Sequence, residues 1–207
     1  MEVELKYKII DGDNEILRKL HQTYHGTDPT TIQMEAYYYD TKNLDFFKKG
    51  LSVRCRKENN RVIANIKSKE IYEKGLFIRQ ECEKEIDPRE KDKLDFLKWF
   101  KGTAIEKPLF DVLNVDNKLV QLVETIFVRE KTVFHYRDSQ LEAAYDKGYI
   151  LAGKKRVEIN ELEIELLQGK KEDIQDFGEN IIEKIYGLRP ENLSKFARGI
   201  RLVYFKE

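Results

Sequence analysis

The stretch Glu2-Val3-Glu4-Leu5-Lys6-Tyr7-Lys8 alternates ionisable and apolar side chains. On a β-strand, neighbouring side chains point to opposite faces, so Glu2, Glu4, Lys6 and Lys8 share one face and Val3, Leu5 and Tyr7 the other. Carboxylates two residues apart on a strand lie roughly 6–7 Å apart. That spacing can hold hard divalent cations through oxygen, with a lysine next in line. The pattern recurs as Ser52, Arg54 and Arg56, then Asn65, Lys67 and Lys69, then Arg79, Glu81, Glu83 and Glu85. It continues with Arg129 and Lys131, Asp146, and Glu161, Glu163 and Glu165. Arginine and lysine rows can bind a multiply charged anion, arginine through bidentate contacts. A polyphosphate-type ligand carried with Mg²⁺ or Mn²⁺ fits both halves of this set.

Alternation alone leaves two arrangements open. Charged faces turned outward make an ordinary barrel with an apolar interior, such as a small-ligand carrier. Charged faces turned inward make a charged tunnel whose apolar outer surface must be covered. The chain also carries amphipathic helical stretches, which need an apolar surface to sit on, and this favours the tunnel. Like charges inside it require counter-charges, metal or ligand.

The elements that position these residues follow from periodicity and breakers. Strands are expected at Glu2–Ile9, Gln33–Asp40, Leu51–Lys57, Arg61–Lys69, Leu76–Ile86, Glu124–Tyr136, Leu141–Leu151 and Arg156–Leu167. Turns are expected at Asp11-Gly12-Asp13, Glu58-Asn59-Asn60 and Tyr72 to Gly75. Helices are expected at Asn14–Tyr24, capped by Asp13, and at Lys42–Lys49. A helical insertion over about 88–123 holds helices at Lys91–Lys101 and Asp116–Val123. C-terminal helices over about 172–206 comprise Glu172–Tyr186, with Ile174, Phe177, Ile181, Ile182 and Ile185 on one face, and Ser194–Tyr204. The fold class is α+β, predominantly antiparallel β. Eight strands are expected to close into a tunnel-like barrel with a charged lumen and helices packed outside, as a single domain over 1–207.

The 207 residues contain 38 basic and 38 acidic side chains, so the charge acts through placement rather than through a net field. That balance argues against a non-specific nucleic-acid partner. No apolar run approaches the length of a membrane span, no leader is evident, and a cytoplasmic chain without a membrane partner is expected. Cys55 and Cys82 lack metal-site spacing and are expected as small apolar residues on the helix-covered face. His21 and His25 receive no role.

Taken in order, several pieces resemble the signature of the CYTH family, the triphosphate tunnel metalloenzymes. They are Glu2-x-Glu4-x-Lys6, Tyr39-Asp40-Thr41, Leu51-x-Val53-Arg54-x-Arg56, Lys67 and Arg79-x-Glu81-x-Glu83. Arg129-x-Lys131, Asp146, Glu161-x-Glu163-x-Glu165 and Ser194-Lys195 complete the set. Each piece is weak alone; the ordered set on alternating strand faces covers almost the whole chain and is specific. The resemblance implies a tunnel enzyme that hydrolyses or cyclises triphosphates with Mg²⁺ or Mn²⁺. It implies Glu2, Glu4, Glu163 and Glu165 as metal ligands, with Glu161 nearby. Arg54, Arg56, Lys67, Arg129, Lys131 and Lys195 are implied as triphosphate binders. Lys6 is implied to hold phosphate or orient the attacking water, and a second metal, or a carboxylate such as Glu4 or Glu165, is expected to activate that water. Glu81, Glu83 and Asp146 support these groups. Where the family often has Thr-x-Lys, this chain has Asn65-Ile66-Lys67. The tunnel domain is expected to stand alone, as monomer or homodimer. The leading expectation is a triphosphatase acting on inorganic triphosphate. Thiamine triphosphatase, an adenylate cyclase releasing pyrophosphate, and a non-catalytic polyphosphate or nucleotide binder stay open.

Overall fold

The alternating stretches do fold as strands, because each has one face that needs burial and one that does not. The structure, a computed structural model, describes residues 1–10, 14–68, 71–73, 76–113 and 118–205. The turn at Asp11-Gly12-Asp13 with its cap, Lys69, Gly75 and the start of the expected helix at Asp116 lie outside the described residues.

Among the described residues one antiparallel sheet contains β1 (Glu2–Lys8), β2 (Thr30–Asp40), β3 (Ser52–Glu58), β4 (Arg61–Lys67), β5 (Ile71–Glu73) and β6 (Leu76–Arg79). It continues with β7 (Glu81–Ile86), β8 (Val120–Tyr136), β9 (Ser139–Ala152), β10 (Lys155–Gln168) and the two-residue β11 (Arg189–Pro190). The path runs β5-β6-β1-β10-β9-β8-β2-β3-β4-β7, with β11 beside β1. The β3–β4 hairpin turns at Asn59, whose φ of 52° suits asparagine.

Two expectations about the sheet are corrected. The stretch Leu76–Ile86 is not one strand. It breaks at Gln80, so that β6 pairs with β1 while β7 pairs with β4. The sheet is therefore an open path curled into a half-barrel, not a closed eight-stranded ring. Its two flanks are linked by the chain at Gln80, between β6 and β7, and by the ion pair from Lys67 on β4 to Glu2 on β1. The expected helix at Asp116–Val123 is the other correction: Val120 already belongs to β8, paired with Asp40 of β2. A short apolar run such as Leu119-Val120-Gln121-Leu122-Val123 satisfies both periods, and strand pairing decides it.

Helices cover the convex face as expected. α1 (Glu15–Thr23) and α5 (Lys171–Phe177) bury Leu17, Leu20, Ile174 and Phe177 against Leu5, Tyr7, Leu162 and Ile164. Short α2 (Asp45–Lys48) follows β2, its backbone N–H groups at Phe46 and Phe47 donating to the buried Asp40 carboxylate. The insertion holds a 3₁₀ turn at Pro88–Lys93, α3 (Phe96–Trp99) and α4 (Glu106–Leu113). The expected helix Lys91–Lys101 is interrupted where Leu94 takes a positive φ and Asp95 caps α3. These pieces seal a core containing Val53, Cys55 and Ile66, and Cys82 packs at its edge. Both cysteines are free thiols.

The expected helix Glu172–Tyr186 changes winding at Gly178, where a π turn runs to Glu183. The extra residue per turn rotates the remainder of the segment about its axis. Ile182 stays buried, but Ile185 turns out to solvent. Gly178 allows this segment to press on β1: a Cβ there would meet Tyr7 Oη at 2.5 Å and Leu5 Cδ1 at 2.6 Å.

The last helix, α6 (Lys195–Tyr204), capped by Ser194, is not outside at all. Phe196 and Ile200 pack on Val123, Phe127, Ile150 and Ile159, which share the concave face with Arg129, Asp146 and Glu161. One end of that face is apolar, and an amphipathic helix is needed to bury it. No helix among the described residues is long and apolar enough to cross a membrane.

Candidate functional site

The concave face encloses a cavity of about 480 Å³. Its cationic lining is Lys6, Arg54, Arg56, Lys67, Arg79, Arg129, Lys131 and Lys195. Its carboxylates are Glu2, Glu4, Glu58, Glu81, Glu83, Glu142, Glu163 and Glu165. The two sets balance, so the lumen holds many buried charges with no large net charge.

One wall is the β1–β10 ladder. Glu4 lies opposite Glu165 and Lys6 opposite Glu163. Lys6 is buried, with its ammonium 3.4 Å from Glu4 and 3.2 Å from Glu163. Burial works against that charge, but Glu4, Glu163 and Glu161 outweigh it and push the Lys6 pKa up. Glu2 accepts from Lys67 at 2.7 Å and from Arg79 at 2.5 Å, and Arg79 also donates to Glu4. Burial raises the Glu2 pKa, yet Lys67 and Arg79 bring it below the ordinary value.

Glu165 differs from its neighbours. No ion pair or hydrogen bond to its carboxylate is found among the described residues. Burial, then the charges of Glu2 and Glu4, push its pKa up to about 7. Such a carboxyl keeps its proton in the fold at pH values where the unfolded chain, near 4.5, has lost it. Its contribution to stability is therefore fully present below about 4.5 and lost as pH rises through about 7. Denaturant titrations of the metal-free protein across pH 4.5 to 7 should show this loss, and Glu165→Gln should flatten it. Equal pH slopes for both proteins would contradict the assignment.

Behind this wall, Asp146, Glu161 and Glu163 bring carboxylate oxygens within 4.8 Å of one another. Asp146 and Glu161 are 0% and 1% exposed. The Lys195 ammonium sits among them, 2.7 Å from Asp146, 3.0 Å from Glu163 and in contact with Glu161. Burial opposes the charge on Lys195, but these carboxylates raise its pKa well above the usual value. Glu163 is held well below the carboxylate range, because Lys195, Lys6 and Arg129 outweigh burial. The expected ligand set Glu2, Glu4, Glu163 and Glu165 lies along the first wall and meets this triad at Glu163.

The opposite wall is basic. Arg129 grips Asp146 through two contacts of 2.7 Å and also donates to Glu163. Arg56 pairs with Glu58 at 2.7 Å and Glu83 at 2.8 Å, leaving Nε buried without a partner. Lys131 pairs with Glu142 at 2.7 Å. Lys67 bridges Glu2 and Glu81, the latter at 3.2 Å.

The structure thus gathers the expected residues Glu2, Glu4, Lys6, Arg54, Arg56, Lys67, Glu81, Glu83, Arg129, Lys131, Asp146, Glu161, Glu163, Glu165 and Lys195 around one lumen. Lys8 and Glu85, in phase with them by sequence, are instead exposed at strand ends, Glu85 pairing with Arg61. Four charged groups were not assigned a role from sequence. Arg79 ties Glu2 to Glu4, which follows only from the β1–β6 register. Glu58 and Glu142 were readable, being in phase with Arg54–Arg56 and with Asp146. Arg198 donates to Glu161 and sits one helical turn beyond Lys195, a spacing visible once the helix is accepted.

The carboxylates suit a hard divalent ion, as the donor set is all oxygen and Glu165 has no paired cation among the described residues. A model of the CYTH domain matches residues 1–200. An inorganic triphosphatase of Haemophilus influenzae is 26% identical over 145 residues, 70% of this chain. The chain spans 39% of the length of that relative. A Hippeastrum protein, taken for an adenylyl cyclase and found to have a dominant triphosphatase activity, has the same fold at a TM-score of 0.64. It is 18% identical, with 95% of this chain and 94% of that one covered. A Bacillus halodurans protein proposed as an adenylate cyclase superposes at a TM-score of 0.60 with 15% identity, covering 100% and 98% of the two chains. The charged lumen and the match over nearly its full length establish that this chain belongs to the CYTH domain family.

Proposed function

We propose that this chain hydrolyses the P–O–P bond of a small linear triphosphate inside the lumen, with Mg²⁺ or Mn²⁺. The carrying observation is the pairing of an acidic wall, β1–β10, with a basic one, β2–β3–β8, across a single cavity. Glu2, Glu4, Glu163 and Glu165 are the residues that would hold the ion. When bound, the ion neutralises phosphate charge and makes a coordinated water more acidic.

The chain's own groups do the rest. Arg54, Arg56, Lys67, Arg129, Lys131 and Lys195 bind the phosphoryl oxygens and stabilise charge that shifts onto them in the transition state. In the ligand-free protein most of these cations are paired with lumen carboxylates. Binding therefore exchanges partners, the anion replacing lumen carboxylates on these side chains. Glu4 or Glu165 accepts the proton of the attacking water. Lys6, fixed between Glu4 and Glu163, orients that water or contacts the terminal phosphate. Asp146 and Glu161 keep Lys195 and Arg129 in place.

The test is a phosphate-release panel with tripolyphosphate, thiamine triphosphate, ATP and long-chain polyphosphate, each with Mg²⁺ and with Mn²⁺. Metal-dependent release of orthophosphate from tripolyphosphate is expected. Conversion of ATP to cyclic AMP and pyrophosphate, without orthophosphate release from any substrate, would overturn the hydrolytic reading.

A further inference from the structure

Asn65 is fully buried at the middle of β4, opposite Arg54 of β3 on one side and Glu83 of β7 on the other. Its carboxamide oxygen and both of its amide protons are engaged. Oδ1 accepts from Arg54 Nε at 2.9 Å, and Nδ2 donates to Glu83 at 2.9 Å and to Glu81. The amide orientation follows from the partners, since a guanidinium only donates and ionised carboxylates only accept. A second neutral group holds Arg54 from another edge. Its Nη1 donates to the Tyr38 hydroxyl at 3.1 Å, and the Tyr38 ring stacks on Phe196 at 5.2 Å.

The remaining nitrogen of Arg54, Nη2, lies 3.9 Å from Glu81, beyond hydrogen-bond distance. This sets Arg54 apart from the other lumen arginines. Arg56 and Arg129 each make close contacts to two carboxylates, which a phosphate must displace.

We propose that Asn65 is a positioning residue for substrate recognition, presenting Arg54 to a phosphate group while its amide protons hold Glu81 and Glu83 away from that guanidinium. A threonine here could not do this, because one hydroxyl donates only once. An aspartate would add a carboxylate to those of Glu81 and Glu83 and give Arg54 a charged competitor. The inference rests on the triphosphatase reading and names the residue that organises part of its basic wall.

The experiment compares wild type, Asn65→Ala, Arg54→Ala and the double variant. Steady-state kinetics use tripolyphosphate and Mg²⁺, calorimetry measures tripolyphosphate binding, and thermal melts confirm folding. Asn65→Ala should raise KM about tenfold, the scale of one hydrogen bond to a charged group, with a smaller fall in kcat. In the Arg54→Ala background the same change should move KM by less than about twofold, because a residue acting through a partner has no effect once the partner is gone. A purely structural role would lower both backgrounds alike. An unchanged KM, or the full rise in both backgrounds, overturns the proposal. Should Asn65→Ala fail to fold, Asn65→Thr, whose single hydroxyl proton cannot hold both carboxylates, takes its place in the same cycle. A folded wild type that neither binds nor cleaves tripolyphosphate overturns the functional reading itself, and this inference with it.

Discussion

Glu4→Gln is expected to lower metal-dependent phosphate release by about 10²–10³-fold, the scale seen when one preorganised electrostatic group is removed from an active site. Glu4 is 3% exposed and faces the lumen from the middle of β1. It accepts from Arg79, lies 3.4 Å from Lys6, and stands opposite Glu165. Glutamine keeps the shape and loses the charge. It neither attracts a hard cation as a carboxylate does nor takes a proton from water. Phosphate release should fall at saturating tripolyphosphate and not be restored by more substrate. Tripolyphosphate binding in the absence of metal should survive, because the basic wall is untouched. Wild-type kcat in a folded Glu4→Gln protein would remove Glu4 from the machinery.

Lys195→Met should act on stability before it acts on rate. Methionine approximates the length of lysine, but the ammonium among Asp146, Glu161 and Glu163 is gone. Breaking a buried ion pair by removing one partner costs about 3–5 kcal/mol, since the other partner is left uncompensated. Arg198 on Glu161 and Arg129 on Asp146 and Glu163 remain, which places the expected loss near the lower end of that range. The pH dependence has a definite sign. In wild type the Glu163 carboxyl is held well below its ordinary value, so its stabilisation is present above about 4.5 and lost only as pH falls through the lowered value. Without Lys195, the first of the cations that hold the Glu163 carboxyl down is gone, while burial still pushes it up. The deficit of the variant should then be largest near neutrality and shrink as acid protonates it. A divalent cation should also narrow the gap, because the three sets of oxygens already lie within 4.8 Å. Denaturant melts of both proteins, with and without Mn²⁺, measure all three effects. A variant as stable as wild type at neutral pH would show that the triad does not depend on Lys195.

The alternation of Glu2, Glu4 and Lys6 with Val3, Leu5 and Tyr7 is a strand property, and it survives folding because one side must be buried under α1 and α5. The same holds for Arg54–Arg56 and Glu161–Glu163–Glu165. For these rows, period-two chemistry determines which side chains share a face, and that face is the lumen. What alternation does not contain is register. Glu4 opposite Glu165 and Glu2 opposite Arg79 depend on which strands meet and at what offset. The break at Gln80 belongs here too: Arg79-Gln80-Glu81 reads as one continuous strand, and only the competing partners β1 and β4 separate it into β6 and β7.

Helix placement was legible in part. Apolar faces announced that α1, α5 and the insertion need a surface, and they cover the convex side. Nothing local distinguishes α6 from them, since a helix with one apolar face packs equally well on either side of a sheet. Its position comes from an apolar patch, Val123, Phe127, Ile150 and Ile159, which exists only once β8, β9 and β10 are aligned. That placement carries Lys195 and Arg198 into the acidic triad.

Sequence alone determined the family, the charged rows and the residues that form them, because these are properties of composition and of short spacing. Tertiary structure decided which charges touch. It put Lys195 at the centre of three carboxylates, left Glu165 without a paired cation among the described residues, and made Asn65 the hydrogen-bond link between Arg54 and the Glu81–Glu83 pair. Those outcomes depend on distances of a few ångströms between residues far apart in the chain, set by strand register and helix docking.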